Sequence, residues 1–170
     1  MERGCASGEE PYTIALVWRV AVAPSHPGVA IEIVATDADA ALIERARRGR
    51  YPHASARELP RSLRAAGFDE TDDELVIKQD LSRAIDWRVE DLRRAMPDGP
   101  FDVVLCRNVA FTYLDEPVQR EVGAKIVERL ARPPAPGVLV IGQHETLPPG
   151  LDLAPLARCV HERVSDGRAA

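Results

Sequence analysis

The sequence predicts an α/β protein in which a mostly parallel sheet carries helices on both faces. Short apolar stretches alternate with helical patterns along the chain, which is typical of a parallel sheet because its crossover connections use helices. The apolar stretches at residues 30–36 and 101–106 are nearly continuous, as expected for strands covered on both faces. The last apolar stretch, residues 159–164, is weaker and predicts an antiparallel edge strand at the C-terminal end.

Length, charge and cysteine content limit the possible function classes. A chain of 170 residues has the length of one domain, and its net charge of −5 argues against nucleic-acid binding. No apolar run is long enough to span a membrane and no signal peptide is present, so we expect a cytoplasmic protein without membrane insertion. Cys5, Cys106 and Cys159 lack metal-ligand spacing, which predicts free thiols and no metal site.

The predicted elements follow one another in the order that this fold class requires. Apolar periodicity indicates the helices, and glycine, proline and acidic residues indicate where they begin and end. The elements are a helix over 11–23, a strand over 30–36, a helix over 39–48 that stops at Gly49, a short helix from Ser55 to Gly67, a short strand over 75–78, a half-buried strand over 85–89, a strand over 101–106, a helix capped by Asp115, and strands over 138–141 and 159–164.

Residues 51–83 differ from the rest and predict an insertion at the binding edge of the sheet, with at most a hairpin. Arginines are dense here and in the preceding helix. We interpret them as a solvated helical face; the alternative is a docking patch for an acidic partner.

Small residues from Gly4 to Gly8 predict a loop whose backbone approaches a ligand closely. Helix-start signals follow, because Ser7 and Glu10 have the spacing of a capping box. A glycine loop that enters a helix binds cofactors in nucleotide-binding α/β proteins. The alternative interpretation is that this stretch is only a loop and a helix cap.

The loop does not suit a dinucleotide. Glu9 and Glu10 stand where a pyrophosphate needs open amides, and no G-x-G-x-x-G pattern is present, which argues against a nicotinamide-dependent oxidoreductase. A ligand with hydroxyl groups or a positive charge fits better. S-adenosylmethionine (SAM), with a ribose, a sulfonium and no phosphate, is such a ligand, and Glu9 could contact its positive end or its ribose.

Polar residues lie where the predicted strands end. Asp37 could accept both ribose hydroxyls, as carboxylates do in dinucleotide sites. Asp91 could accept from the adenine amine while Leu92 packs on the ring, although both could simply form a strand exit. Asn108 could donate and accept beside the amino-acid end of the cofactor. Tyr113 would lie near the transferred methyl, either to orient a nucleophile or only to pack.

A His144–Glu145 pair follows the strand over 138–141. A catalytic pair is conceivable, but adjacent residues of an extended chain point to opposite faces. We therefore favour a structural role for these two residues.

Three stretches together resemble the CheR-type chemoreceptor glutamate methyltransferases: Gly-Cys-Ala-Ser-Gly-Glu-Glu-Pro-Tyr at 4–12, Ala-Thr-Asp at 35–37, and Phe-Asp-Val-Val-Leu-Cys-Arg-Asn-Val at 101–109. The resemblance extends in order from Gly4 to Leu147. It implies a class I, Rossmann-like methyltransferase domain that uses SAM to methylate glutamates on the cytoplasmic helices of chemoreceptors. It also implies an aromatic hydroxyl, Tyr113, near the methyl group, and these cofactor-site residues: Gly4, Ser7, Gly8, Glu9, Asp37, Asp91, Leu92, Asn108 and Val109.

The chain departs from the family pattern in several places. From this resemblance we expect the family's N-terminal helical domain, with an arginine near the cofactor, and most of the first strand to be missing. Gly142-Gln143-His144-Glu145 stands where the family usually has Gly-His-Ser-Glu, and the spacing from Asn108 to Tyr113 differs by one residue from some members. Residues 51–83 are short for the family's inserted β-subdomain, so we do not expect recruitment through a receptor tail.

We therefore expect an N-terminally truncated, monomeric catalytic domain over residues 1–170. Two hypotheses remain open at this point. The chain is an active enzyme whose remaining parts lie in a longer protein or another chain, or it is a non-catalytic, cofactor-binding remnant that acts through protein contacts.

Overall fold

Residues 5–164 are described in the structure, a computed structural model, and they form two units, 5–90 and 91–164. Gly4, which the sequence analysis places in the cofactor site, lies outside the described residues. No helix in the described part of the chain is long and apolar enough to cross a membrane.

The first unit begins with helix α1, and its elements agree with the predicted alternation of helix and strand. In chain order they are α1 (Glu9–Val17), which continues through a π-helical turn (Trp18–Val22) and a 3₁₀ turn (Ala23–Ser25), β1 (Ile33–Asp37), α2 (Ala40–Arg48), β2 (Arg50–Tyr51), a 3₁₀ turn (His53–Ala56), α3 (Arg61–Gly67), β3 (Phe68–Glu70), β4 (Leu75–Ile77), α4 (Gln79–Arg83) and β5 (Ile85–Val89).

Strands β1 and β5 pair in parallel, with Ile33 opposite Ile85 and Asp37 opposite Val89. Helix α2 has the ends that its sequence predicts. The Asp39 side chain accepts from the Ala41 amide at the N-terminus, and Gly49 ends the helix in the left-handed region at φ 59°. These caps fix where the chain leaves β1 and where it enters β2.

The insertion is a three-stranded antiparallel sheet in the order β2–β4–β3, so the prediction of at most a hairpin is wrong. The helix predicted to start at Ser55 is also wrong. A 3₁₀ turn ends at Ala56 and α3 starts only at Arg61, because Pro60 takes an extended conformation (ψ 142°) ahead of it. Gly67 ends α3 as predicted.

The second unit contains the other predicted strands and the long helix. Its elements are β6 (Val103–Cys106), α5 (Ala110–Tyr113), α6 (Glu116–Arg129), β7 (Val138–Ile141), β8 (Leu153–Ala157) and β9 (Val160–Arg163). Asp115 is at the N-cap of α6, as predicted, but its side chain makes no capping hydrogen bond. Helix α6 packs Val122 and Ile126 into the core of this unit, and Leu130, directly after the helix, joins them.

The sheet of the second unit has the order β6–β7–β9–β8, with β6 and β7 parallel and the remaining pairs antiparallel. The predicted edge strand at 159–164 is therefore internal, and the edge is formed by β8, which the sequence analysis missed. The α/β class is confirmed, with parallel pairing at β1–β5 and β6–β7. These pairs belong to separate sheets among the described residues.

Candidate functional site

The loop before α1 wraps around the carboxyl end of β1. The Cys5 amide donates to the Thr36 carbonyl at 2.9 Å, and the Ala6 amide donates to Asp37 Oδ2 at 2.9 Å. The Gly8 amide donates back to the Cys5 carbonyl at 3.1 Å. Ala6 and Gly8 both lie in the left-handed region, at φ 49° and 94°. The loop is thus a tight turn whose shape is set by hydrogen bonds to β1.

Ser7 and Glu9 interact with each other, and the predicted capping box is wrong. Gly8 is the N-cap residue of α1, and no side chain caps the helix. The Ser7 hydroxyl donates to both carboxylate oxygens of Glu9, at 3.0 and 2.8 Å. Gly8, with its left-handed backbone, lies between Ser7 and Glu9. The Ser7 hydroxyl therefore contacts and orients the exposed Glu9 carboxylate, and does not accept from the Glu10 backbone amide as a capping box requires.

Asp37 is buried, with 1% of its surface exposed, and joins two elements. Its Oδ2 accepts from Ala6 and its Oδ1 accepts from the Asp39 amide at 2.9 Å, at the start of α2. A carboxylate has about four acceptor directions, and these two backbone amides occupy two of them. Burial, and next the charge of Asp37, raise the pKa of the Cys5 thiol from 9.0 to about 12.

Two buried tyrosines lie in the core of the first unit, and one of them, Tyr51, contacts the loop. The Tyr51 hydroxyl donates to the Ser7 carbonyl at 2.5 Å, and the Tyr12 hydroxyl donates to the Ala46 carbonyl at 2.9 Å. Burial is the main cause that raises the pKa of Tyr51, followed by the charge of Glu9. The sequence analysis did not identify Tyr51, because its partner lies 44 residues away and no local motif indicates the contact.

A small open depression of the first unit is lined in part by Glu9. Tyr51, Ser55, Thr13 and Phe68 also line it. All of these residues belong to the first unit.

The donors and acceptors of the loop indicate which ligands it suits. The amides of Cys5, Ala6 and Gly8 already donate to protein acceptors, so they do not form an open amide nest for a phosphate. The exposed group is instead the Glu9 carboxylate, an acceptor with negative charge. An exposed carboxylate is chemically suited to hydroxyl groups or a cation, and binding of such a ligand by this loop stays a prediction.

Asp91 and Leu92 lie at the start of the second unit. Both carboxylate oxygens of Asp91 accept from the Arg93 guanidinium, at 3.0 and 2.8 Å. These bonds hold the pKa of Asp91 below its ordinary value. Leu92 is partly buried against the core of the second unit. Asp91 is therefore an ionised carboxylate in a local turn. This agrees with the alternative in which Asp91 only forms the exit from a strand, and its contact with adenine stays a prediction.

The loops after β6 and β7 meet at one carboxylate. Glu145 Oε2 accepts from the backbone amide of Asn108 at 2.8 Å and from the backbone amide of Gly142 at 2.6 Å. Glu145 Oε1 accepts from the Thr112 hydroxyl at 2.6 Å. The structural role favoured for Glu145 is thus what the structure shows, and these partners were not predicted.

Asn108, Val109 and Tyr113 form one short stretch around α5. Asn108 is exposed and adopts a left-handed φ of 56°, a conformation that asparagine tolerates better than most residues. Val109 is buried at 3% exposure in the core of the second unit, whereas Tyr113 is 57% exposed at the end of α5. The stretch therefore presents an amide and a phenol to solvent.

Comparison with known proteins agrees with this chemistry. The model of a family described as CheR methyltransferase, SAM binding domain, matches residues 1–157. The chain belongs to this family. The chemotaxis protein methyltransferase of Listeria innocua is 33% identical over 143 residues, covering 84% of this chain and 52% of that protein. The one from Borreliella burgdorferi is 31% identical over 147 residues, covering 85% of this chain and 50% of that protein.

A probable biofilm formation methyltransferase, WspC, from Pseudomonas aeruginosa is also similar. It is 32% identical over 144 residues, covering 83% of this chain and 32% of that protein. The chain spans about half the length of the first two relatives.

SAM is the cofactor of this CheR-family domain. The residues present suit it, because the first-unit loop presents a carboxylate while its Cys5, Ala6 and Gly8 amides donate within the protein, and SAM has hydroxyls and cationic groups without phosphate. The structure groups Ser7, Gly8 and Glu9 with Asp37 in the first unit. It groups Asn108 with Val109 and Tyr113 in the second. Their individual contacts to the cofactor stay predictions.

Proposed function

We propose that this chain transfers the methyl group of SAM to glutamate side chains on the cytoplasmic helices of chemoreceptors. The family match over residues 1–157 carries this proposal. It is supported by the names of relatives such as the chemotaxis protein methyltransferases of Listeria innocua and Borreliella burgdorferi.

The chemistry is a displacement at the methyl carbon. A glutamate carboxylate oxygen forms a bond to the methyl carbon, the bond from that carbon to the sulfonium sulfur breaks, and its electron pair stays on sulfur. The products are a glutamyl methyl ester and S-adenosylhomocysteine. A glutamate is already ionised at neutral pH, so the reaction needs no general base. Positioning of the three atoms in line then supplies most of the catalysis.

The proposed roles follow the sequence analysis. Glu9 binds the positive end or the ribose of the cofactor, and Asp37 shapes the loop and accepts from the ribose. Asp91 and Leu92 contact the adenine. In the second unit, Asn108 binds near the amino-acid end and Tyr113 lies near the methyl group. The remaining proposed cofactor residues are Gly4, Ser7, Gly8 and Val109.

We also propose the wider setting of this activity. Residues 1–170 form one SAM-dependent domain, supported by a family match that includes residues of both units. The protein acts in the cytoplasm as a monomer, and its partners are the methyl-accepting helices of chemoreceptors.

The test is methyl transfer from SAM that carries a tritiated methyl group to membranes that contain chemoreceptors. We expect label on the receptors that is released as methanol by mild alkali, because a carboxyl methyl ester hydrolyses there. Receptors with glutamine in place of the methylated glutamates are the control and stay unlabelled. A folded chain that binds S-adenosylhomocysteine and labels no receptor would contradict the proposed transfer.

A further inference from the structure

We propose that Glu145 is a positioning residue that fixes the Asn108 loop and α5 for cofactor binding. This role rests on the proposed function, because Asn108 and Tyr113 are the groups that it would hold in place. Glu145 itself is given no contact with the cofactor or with the reacting atoms.

The first observation is the number of donors that converge on this carboxylate. Three groups donate to it: the Asn108 backbone amide at 2.8 Å, the Gly142 backbone amide at 2.6 Å and the Thr112 hydroxyl at 2.6 Å. Hydrogen bonds to an ionised acceptor are shorter and about twice as strong as neutral ones. A carboxylate is an acceptor only, so it matches this all-donor surrounding, which a glutamine amide would not.

The second observation is the close approach of the two loops. A Cβ atom on Gly142 would lie 2.5 Å from Asn108 Oδ1 and 2.8 Å from Glu145 Oε2. The Glu145 amide donates to the Gly142 carbonyl at 3.1 Å, which closes a tight turn directly after β7. A side chain at position 142 would therefore force the Asn108 or Glu145 side chain to move, so glycine keeps this turn close to Asn108.

The third observation is the backbone of Asn108. Its φ of 56° is a left-handed conformation that costs energy in a non-glycine residue and persists only where its surroundings hold it. The hydrogen bond from the Asn108 backbone amide to Glu145 holds it from the loop that follows β7, the parallel partner of β6. Glu145 thus sets the direction in which Asn108 leaves the sheet.

The fourth observation concerns α5, a helix of only four residues. Thr112 ties this helix to Glu145, and the next residue is Tyr113, which is exposed. One carboxylate therefore holds both groups that the second unit would present to the cofactor and the methyl group. Fixing them before binding lowers the ordering cost of binding.

The network lies largely at the surface, with Glu145 half-buried and Gly142 buried, so we expect it to affect affinity more than stability. Asn108 and Thr112 are both exposed, and exposed polar interactions contribute little to global stability. This separates a positioning role from a merely structural one, because a positioning role changes cofactor affinity with little change in the unfolding temperature.

The experiment measures S-adenosylhomocysteine binding by calorimetry and thermal unfolding for the full chain and four variants. We expect Glu145→Gln to weaken binding by about tenfold or more, and Thr112→Val by about threefold to tenfold. Thr112→Ser, which keeps the hydroxyl, and His144→Ala, on the same turn but outside the network, should bind within about twofold of the original chain. Unfolding temperatures should stay within about 3 °C.

The outcomes distinguish this role from the proposed function. Absence of binding by the unmodified chain overturns the proposed function, and this role with it. Binding by the unmodified chain that Glu145→Gln leaves unchanged overturns the positioning role alone. If Glu145→Gln does not fold, the comparison of Thr112→Val with Thr112→Ser tests the positioning role instead. Equal affinity of these two variants for S-adenosylhomocysteine overturns that role.

Discussion

Gly8 is the residue on which the first loop depends most directly. Its φ of 94° favours glycine, and a Cβ atom there would lie 2.9 Å from Ala46 Cβ and 3.0 Å from the Tyr51 hydroxyl. Trp87 also lies 2.9 Å from that point. Two independent constraints, conformation and space, therefore act on one residue.

Gly8→Ala should destabilise the protein by roughly 1–3 kcal/mol more than Gly28→Ala does. Both glycines have φ near 90°, but nothing lies within 4 Å of a Cβ at Gly28. The control therefore carries only the conformational cost of about 1–2 kcal/mol. Denaturant unfolding of both variants gives the difference, and equal losses would show that the loop has room for a side chain.

Cys5 provides a second prediction at the residue scale. Burial and Asp37 raise its thiol pKa to about 12, so the reactive thiolate is scarce at neutral pH. At about pH 8 we expect slow alkylation of Cys5 in the folded protein and fast alkylation in denaturant, measured by peptide mass spectrometry. Fast alkylation in the folded state would contradict the burial of this thiol.

The raised pKa of Cys5 also predicts how stability depends on pH. The folded state holds the Cys5 proton more tightly than the unfolded state does. The contribution of this thiol to the free energy of unfolding is therefore fully present below pH 9.0. It decreases between pH 9.0 and about 12. Cys5→Ser should reduce this alkaline loss of stability in denaturant titrations at a series of pH values.

At the scale of elements, the inserted sheet β2–β4–β3 supports the loop before α1. Tyr51 of β2 reaches the Ser7 carbonyl, and the same ring lies over the position of Gly8. The insertion therefore has a structural function in the first unit, because it supports this loop.

Tyr51→Phe should lower stability by about 1 kcal/mol and should also weaken S-adenosylhomocysteine binding, because the Ser7 carbonyl loses its donor. The matched control is Tyr12→Phe, which loses a hydroxyl that bonds to Ala46 of α2 instead of to the loop. We expect the control to lose similar stability but to keep its affinity. Equal affinities in calorimetry would show that the loop does not depend on Tyr51.

Local signals explain which elements the sequence could predict. The ends of α2 were predictable because Asp39 and Gly49 act within one turn of the helix. The structure of the insertion was not predictable, for two reasons. Pro60 divides its helical pattern, and its strands pair residues up to 26 positions apart, such as Arg50 and Val76. The capping box failed because a Ser7 cap requires Gly8 to be the first helical residue, and Gly8 is left-handed, so α1 starts only at Glu9.

At the scale of the whole molecule, the fold class follows from alternation alone, and the parallel pairs β1–β5 and β6–β7 agree with it. The predicted site residues come from strand ends and the glycine loop. Their supports could not be predicted, since Glu145 is 37 residues from Asn108 in the chain and Tyr51 is 44 from Ser7. Long-range hydrogen bonds leave no spacing pattern.

We propose that the cofactor site of this chain suits SAM and not a phosphate-bearing dinucleotide. The most direct measurement is a calorimetric titration of the folded 170-residue chain with S-adenosylhomocysteine, with NAD⁺ as the matched comparison. We predict saturable one-to-one binding of S-adenosylhomocysteine and no saturable binding of NAD⁺. A chain that is folded by circular dichroism and binds NAD⁺, or binds neither compound, would contradict the account.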